Sequence, residues 1–181
     1  MTGYHIADFV QDMRTFASEA TTEAAVVERI KPLLARLAQS PAWVKPEHYE
    51  CDPQQGFGVH VLHEEPNHGP WLVAVSWLPH RGAPPHNHGT WAVIAGIDGA
   101  ERNILWRRRG ERLERQAEEV VGPRQVAAFL GNAIHSVVNE GERTTLSLHV
   151  YGRNLNFVGR SQFDPNTGNE TPFKLRLQQT T

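Results

Sequence analysis

The sequence predicts a mainly β chain of antiparallel sandwich or barrel type, introduced by a helical segment. Three observations predict it. From Phe57 onward, short runs rich in Val, Trp and Ile alternate with turn clusters that carry Gly and Pro, the pattern of many short antiparallel strands. Before that, residues 1–40 place apolar side chains at helical spacing. At 181 residues the chain is about one domain, long enough to bury a core. The expected division is one domain over 1–181, with a helical segment at 1–40 and a β-barrel at 57–165.

In chain order, Ile6, Phe9, Val10 and Met13 form a first helical stripe, which Phe16 extends. A second helix starts near Thr21-Thr22-Glu23, a capping sequence with an acid in the first turn, and runs through Ala25, Val26, Ile30, Leu33, Leu34 and Leu37. Pro32 falls inside it and is expected to kink or split it. Both stripes read as packing faces against the β body. Residues 40–50 contain Pro41 and Pro46 with Trp43 and Tyr49 as anchors, and read as a connector. Strands are expected at 59–62, 71–77, 91–97, 103–107, 125–129, 136–138 and 145–151. Asp98-Gly99, between two such runs, carries a strong hairpin signal. The tail from Asp164 is polar and Gly-rich, and its end, 178–181, is expected to be loose.

Hydrophobic residues make up 39% and charged residues 21%, so disorder is not the default. A net charge of -2 gives no electrostatic case for nucleic acid or a membrane surface as partner. The single cysteine, Cys51, excludes an intramolecular disulfide and a cysteine-based zinc cluster. No apolar run reaches a membrane span, and no basic-then-apolar leader is present, so a cytoplasmic location is expected. The ten histidines, concentrated in the middle of the chain, hint at metal chemistry.

The chemistry centres on Pro84-Pro85-His86-Asn87-His88-Gly89-Thr90-Trp91. The prolines suit a strand entry, and a side-chain period of two sends His86 and His88 to one face. Two imidazoles make two legs of a metal site. His135, at the head of a later strand, is the third candidate ligand, because a jelly-roll barrel brings distant strands side by side. Three protein ligands leave coordination positions open, as a catalytic metal needs. Further on, Ser147, His149 and Tyr151 alternate along one strand with Leu146, Leu148 and Val150 on the other face. Three polar side chains facing inward must contact each other or a ligand.

These motifs together resemble the thiol dioxygenase family of the cupin superfamily, over residues 59–165. The resemblance implies a cupin double-stranded β-helix, a jelly-roll barrel with N-terminal α-helices packed against it. It implies one Fe(II) held by His86, His88 and His135, with Ser147, His149 and Tyr151 as the catalytic triad beside it. Many cupins add a glutamate shortly after the HxH; here those positions are Ala92 and Val93, and Glu101 comes too late to be that ligand. In cysteine-specific members an upstream arginine grips the substrate carboxylate; His60 stands near that place, and Val93 stands where some members have a cross-linked cysteine. Arg160 instead resembles the carboxylate-binding arginine of bacterial 3-mercaptopropionate dioxygenases. The implied partners are a small-molecule thiol and O2, with the oligomeric state open. The expected substrates are 3-mercaptopropionate, then mercaptosuccinate or cysteine. A dicarboxylate needs a second cation, for which Arg81, His60 and His63 are the candidates. The alternative is a cupin that binds a metal or small ligand without oxygenase activity.

Overall fold

The structure, a computed structural model, describes residues 3–17 and 22–178. Two helices, α1 (Ile6–Ala17) and α2 (Glu23–Ala38), precede eleven strands. These are β1 (Phe57–Glu64), β2 (Trp71–Trp77), β3 (Gly82–His86), β4 (Ala92–Asp98), β5 (Glu101–Arg109) and β6 (Arg112–Val121). They continue as β7 (Val126–Phe129), β8 (Ile134–Val138), β9 (Thr145–Tyr151), β10 (Ser161–Phe163) and β11 (Glu170–Pro172). The strands form two sheets, in the orders β1-β2-β9-β4-β7 and β11-β10-β3-β8-β5-β6. All pairings between these strands are antiparallel. Neighbours so far apart in sequence are the signature of a jelly roll, in which consecutive strands cross between facing sheets.

The five-stranded sheet is buried on both faces. Its inner face carries Val59, Trp71, Val73, Val75 and Tyr151 into the core between the sheets. Its outer face carries Leu72, Val93, Leu148 and Val150 against Phe9, Met13, Ile30, Leu34 and Leu37 of the helices. Fully burying one such side chain stabilises the fold by roughly 1.5–3 kcal/mol, so the outer face holds the helical layer in place. Thr22 caps α2, its hydroxyl accepting the Ala25 N–H; Thr21 lies outside the described residues. Pro32 does not split α2, which is continuous through it. A proline there costs about 3 kcal/mol; Ile30, Leu34 and Leu37, all fully buried, offset it.

Other details depart from the sequence pattern. Asp98-Gly99 does not close a hairpin: β4 pairs with β7 and β9, and β5 with β6 and β8, so this turn carries the chain from one sheet to the other. The tight hairpin is at Gly110, whose φ of 59° leads from β5 back into β6. Strand β6 carries no apolar strand pattern, because eight of its ten residues are exposed and mostly charged. Strand β3 holds Pro84 and Pro85 although it lies between β10 and β8. The pairing register with β8 shifts between Ala83 and His86, and the prolines stand in that interruption, where no ladder N–H is required. Strand pairing also runs past residue 165, to Pro172. Gln178 is tied down by its N–H to the Val59 carbonyl, while 179–181 lie outside the described residues.

Candidate metal centre

His86 ends β3 and faces His135 of β8 as its direct cross-strand partner. His88 stands just beyond the strand, not on it, in the turn that leads to β4. That turn is pinned by the Gly89 N–H to the Gly131 carbonyl and by the Asn87 N–H to the Ser161 carbonyl. Gly89 has a φ of +65°, and a Cβ there would lie 2.4 Å from the Gly159 carbonyl oxygen, so the chain can turn at this point only without a side chain. The result is a set of three buried imidazoles, one ligand atom from each within 4.8 Å of the others.

The rings are prepared as ligands. His86 donates from Nδ1 to the Pro84 carbonyl at 2.8 Å, and His135 pairs through Nδ1 with the Asn103 side-chain oxygen at 2.9 Å. Each therefore keeps a lone pair on Nε2. The His135 and His88 Nε2 atoms lie 3.1 Å apart, and His88 Nδ1 is buried without a hydrogen-bond partner among the described residues. Burial, reinforced by neighbouring His135 and by Arg160, holds His86 and His88 well below the usual imidazole range. Burial likewise pushes His135 down to about 3, with His149 and Arg160 working in the same direction against Glu101. All three are neutral at physiological pH, the form that binds a metal. Buried neutral imidazoles with converging lone pairs and no acidic ligand fit a first-row transition ion.

A second set of polar groups lines the adjoining wall. His149 and Tyr151 of β9 meet at 2.8 Å between Nδ1 and the phenolic oxygen, and Ser147 Oγ lies 2.8 Å from His149 Nε2. The alternation read from the sequence thus forms a hydrogen-bonded chain whose Tyr151 ring stands edge-on to His88, with centroids 5.1 Å apart. Burial raises the Tyr151 pKa above the usual phenol value, Arg160 opposing and Glu101 adding to the rise. Its hydroxyl keeps its proton through the neutral range.

The far end of this chain rests on Glu101, which the sequence pattern did not single out for any role. Glu101 is 2% exposed. It accepts from Trp77 Nε1 and Ser147 Oγ, both at 2.8 Å on Oε2, and from Asn103 Nδ2 at 3.2 Å on Oε1. Burial works to raise its pKa, but the nearby His149, with the donors Ser147 and Asn103, outweighs burial and holds it below the usual carboxylate value. The signal available in the sequence was the Glu101-x-Asn103 alternation at the start of a strand.

Arg160 closes the site from the C-terminal side. It is 6% exposed, its Nε donates to the Phe173 carbonyl at 3.0 Å, and its guanidinium stacks over the Phe173 ring at 4.2 Å. Burial lowers its pKa to about 10, so it remains a cation at neutral pH. It has no acidic partner among the described residues, and its Nη2 is buried without an acceptor. Arg160, the three histidines, His149 and Tyr151 line one cavity of about 30 Å³. The rest of the lining is apolar, with Trp71, Val73 and Leu155 on the barrel wall and Phe173 and Leu175 from the C-terminal segment. Those last two were missed in a tail read only as polar.

The other candidates lie elsewhere. His60 points to the outside of β1, where its Nε2 contacts the Glu50 carbonyl at 2.9 Å and its ring meets His48. His63 pairs with Glu65 at 2.6 Å, and Arg81 donates to the Gln54 carbonyl. None of them lines the cavity. Val93 faces the helices, and Ala92 occupies the inward position beside it.

No family model matches the chain. Among solved structures, it is similar to an uncharacterised protein with a double-stranded β-helix domain from Klebsiella pneumoniae, at 13% identity over 66% of this chain and 88% of that one, with a TM-score of 0.50. It is also similar to an oxalate oxidase in complex with glycolate, at 16% identity over 61% of this chain and 59% of that one, TM-score 0.47. A third is a cupin domain of a transcriptional regulator from Enterobacter cloacae, at 16% identity over 55% of this chain and 99% of that one, TM-score 0.42. The match spans only 59% of the length of the oxalate oxidase chain. At such identities the likeness is one of fold: the chain is a mainly β double-stranded β-helix with N-terminal helices packed on one sheet. No helix among the described residues is long and apolar enough to cross a membrane.

Proposed function

We propose that this protein is a non-haem Fe(II) thiol dioxygenase that converts a small mercapto-carboxylate to its sulfinate. The observation that carries the reading is Arg160, a buried cation without an acidic partner among the described residues, in the same small cavity as three metal-ready histidines. A site of this kind suits a ligand with an anionic group at one end and a metal-seeking atom at the other. The overall change is R–SH + O2 → R–SO2H: sulfur gives up four electrons, dioxygen accepts them, and both oxygen atoms end on sulfur. His86, His88 and His135 would hold the iron, which supplies the redox centre where thiol and dioxygen meet.

The chain's own residues do the rest. Arg160 holds the carboxylate by parallel hydrogen bonds, and Phe173 keeps its guanidinium from turning away. Tyr151 holds a proton on its phenolic oxygen at the cavity wall, oriented by His149 and Ser147. The apolar lining excludes bulk water. It also favours 3-mercaptopropionate, whose only charged group besides sulfur is the carboxylate. The ammonium of cysteine would meet no carboxylate there, and the second carboxylate of mercaptosuccinate would meet no second cation, since His60, His63 and Arg81 stand outside the cavity.

The test is oxygen uptake by the iron-loaded protein with 3-mercaptopropionate, mercaptosuccinate and cysteine in parallel, with products assayed by mass. Uptake with sulfinate formation, fastest for 3-mercaptopropionate, is expected. Tight iron binding without uptake for any thiol would replace this reading with a metal-binding cupin that lacks oxygenase activity.

A further inference from the structure

We propose that Glu101, which is no metal ligand itself, prepares His135 for the metal by fixing the orientation of Asn103. The inference rests on the reading of His135 as a ligand and deepens it. It follows from counting donors and acceptors in a sealed space. Trp77 Nε1 can only donate, and it points at Glu101 Oε2 from 2.8 Å; Ser147 gives its proton to the same oxygen at 2.8 Å. The ionised carboxylate has no proton to offer, so Asn103 must present its NH2 group to Oε1, at 3.2 Å. Its carbonyl oxygen then faces His135 Nδ1 at 2.9 Å, and that nitrogen must carry the ring proton. The Nε2 lone pair is left for the metal. One buried acceptor thus sets a tautomer two hydrogen bonds away.

An isosteric change reverses the logic. In Glu101→Gln the oxygen must stay toward Trp77, which only donates, so the new NH2 faces Asn103. Asn103 then has to flip, offering its own NH2 to His135 Nδ1 and driving the ring proton onto Nε2, where it blocks the metal. Moving the carboxylate one step along the chain repairs this. In Glu101→Gln with Asn103→Asp, the new carboxylate accepts from the new amide on one side and from His135 Nδ1–H on the other. The Ser147 contact is the same in both variants, which separates this effect from any on Tyr151.

The experiment has two arms, both on the whole 181-residue chain. Zn(II) affinity is measured by chelator competition for wild type, Glu101→Gln, the double variant and His86→Ala. The ring protonation of His135 in metal-free wild type is read by long-range proton–nitrogen NMR. Expected are a loss of zinc affinity of roughly 10–100-fold in Glu101→Gln, recovery of most of it in the double variant, and an Nδ1–H tautomer at His135. Wild-type zinc affinity in Glu101→Gln, no recovery in the double variant, or an Nε2–H tautomer in wild type would each overturn the proposal. Should Glu101→Gln fail to fold, the wild-type tautomer still decides it. Zinc affinity unaffected by His86→Ala would instead overturn the metal-centre reading, and the tautomer would stand apart from it.

Discussion

The two faces of the five-stranded sheet are both buried, yet they are built by different rules. Along β9 the outer residues Leu148 and Val150 lie in an apolar cluster with the helices and their sheet neighbours. The inner residues Ser147, His149 and Tyr151 are as deeply buried but are joined to each other and to Glu101 by hydrogen bonds. The outer face is adaptable, because apolar contacts are non-directional and tolerate volume-conserving exchange. The inner face is not, because every proton there has one place to go. Stability and chemistry are thus carried by alternate residues of the same strand.

That division can be tested by breaking each face in turn. The largest effect is expected from His86→Ala on the inner face: loss of stoichiometric iron, seen by metal analysis, and of all oxygen uptake, with a folded chain by circular dichroism. Next is Arg160→Ala, which is expected to raise KM for 3-mercaptopropionate about 100-fold or more, the loss on truncating one partner of a buried charge pair. Arg160→Lys should recover little of it, since a lysine cannot form the two parallel bonds. On the outer face, Leu148→Ala should cost about 2–5 kcal/mol in urea unfolding and leave iron content unchanged. If Leu148→Ala removed iron as well, the two faces would not be separable.

A smaller effect comes from pH on the metal-free chain. His86, His88 and His135 have folded pKa values below their unfolded ones, so between pH 6.5 and lower values the unfolded state binds more protons than the folded state. Stability is then full above the unfolded histidine pKa and falls as the pH drops through that window. Melting of the metal-free protein should come roughly 5–10 °C lower at about pH 5.5 than at about pH 7.5, with less of the difference in His135→Asn.

Much of this division was legible in the sequence. The period of two in residues 145–151 and the helical stripes of Phe9, Met13, Ile30 and Leu34 gave both faces directly. The histidine set was also readable, because HxH followed by a distant strand histidine needs only the jelly-roll topology to converge. Glu101 was not, since its role depends on a cross-sheet contact with Ser147, a contact that strand pattern alone does not place. Phe173 and Leu175 were hidden by the polar residues around them, as their burial comes from the chain folding back over the barrel mouth. Asp98-Gly99 misled because a turn sequence fixes a change of direction, not which sheet the next strand joins.

The most direct test of the central claim is to supply the iron-loaded protein with 3-mercaptopropionate under isotope-labelled dioxygen in ordinary water and to weigh the product. A sulfinate carrying both labelled atoms is expected, with one dioxygen consumed per thiol. A disulfide with no label in it, or a sulfinate whose oxygen came from water, would contradict it.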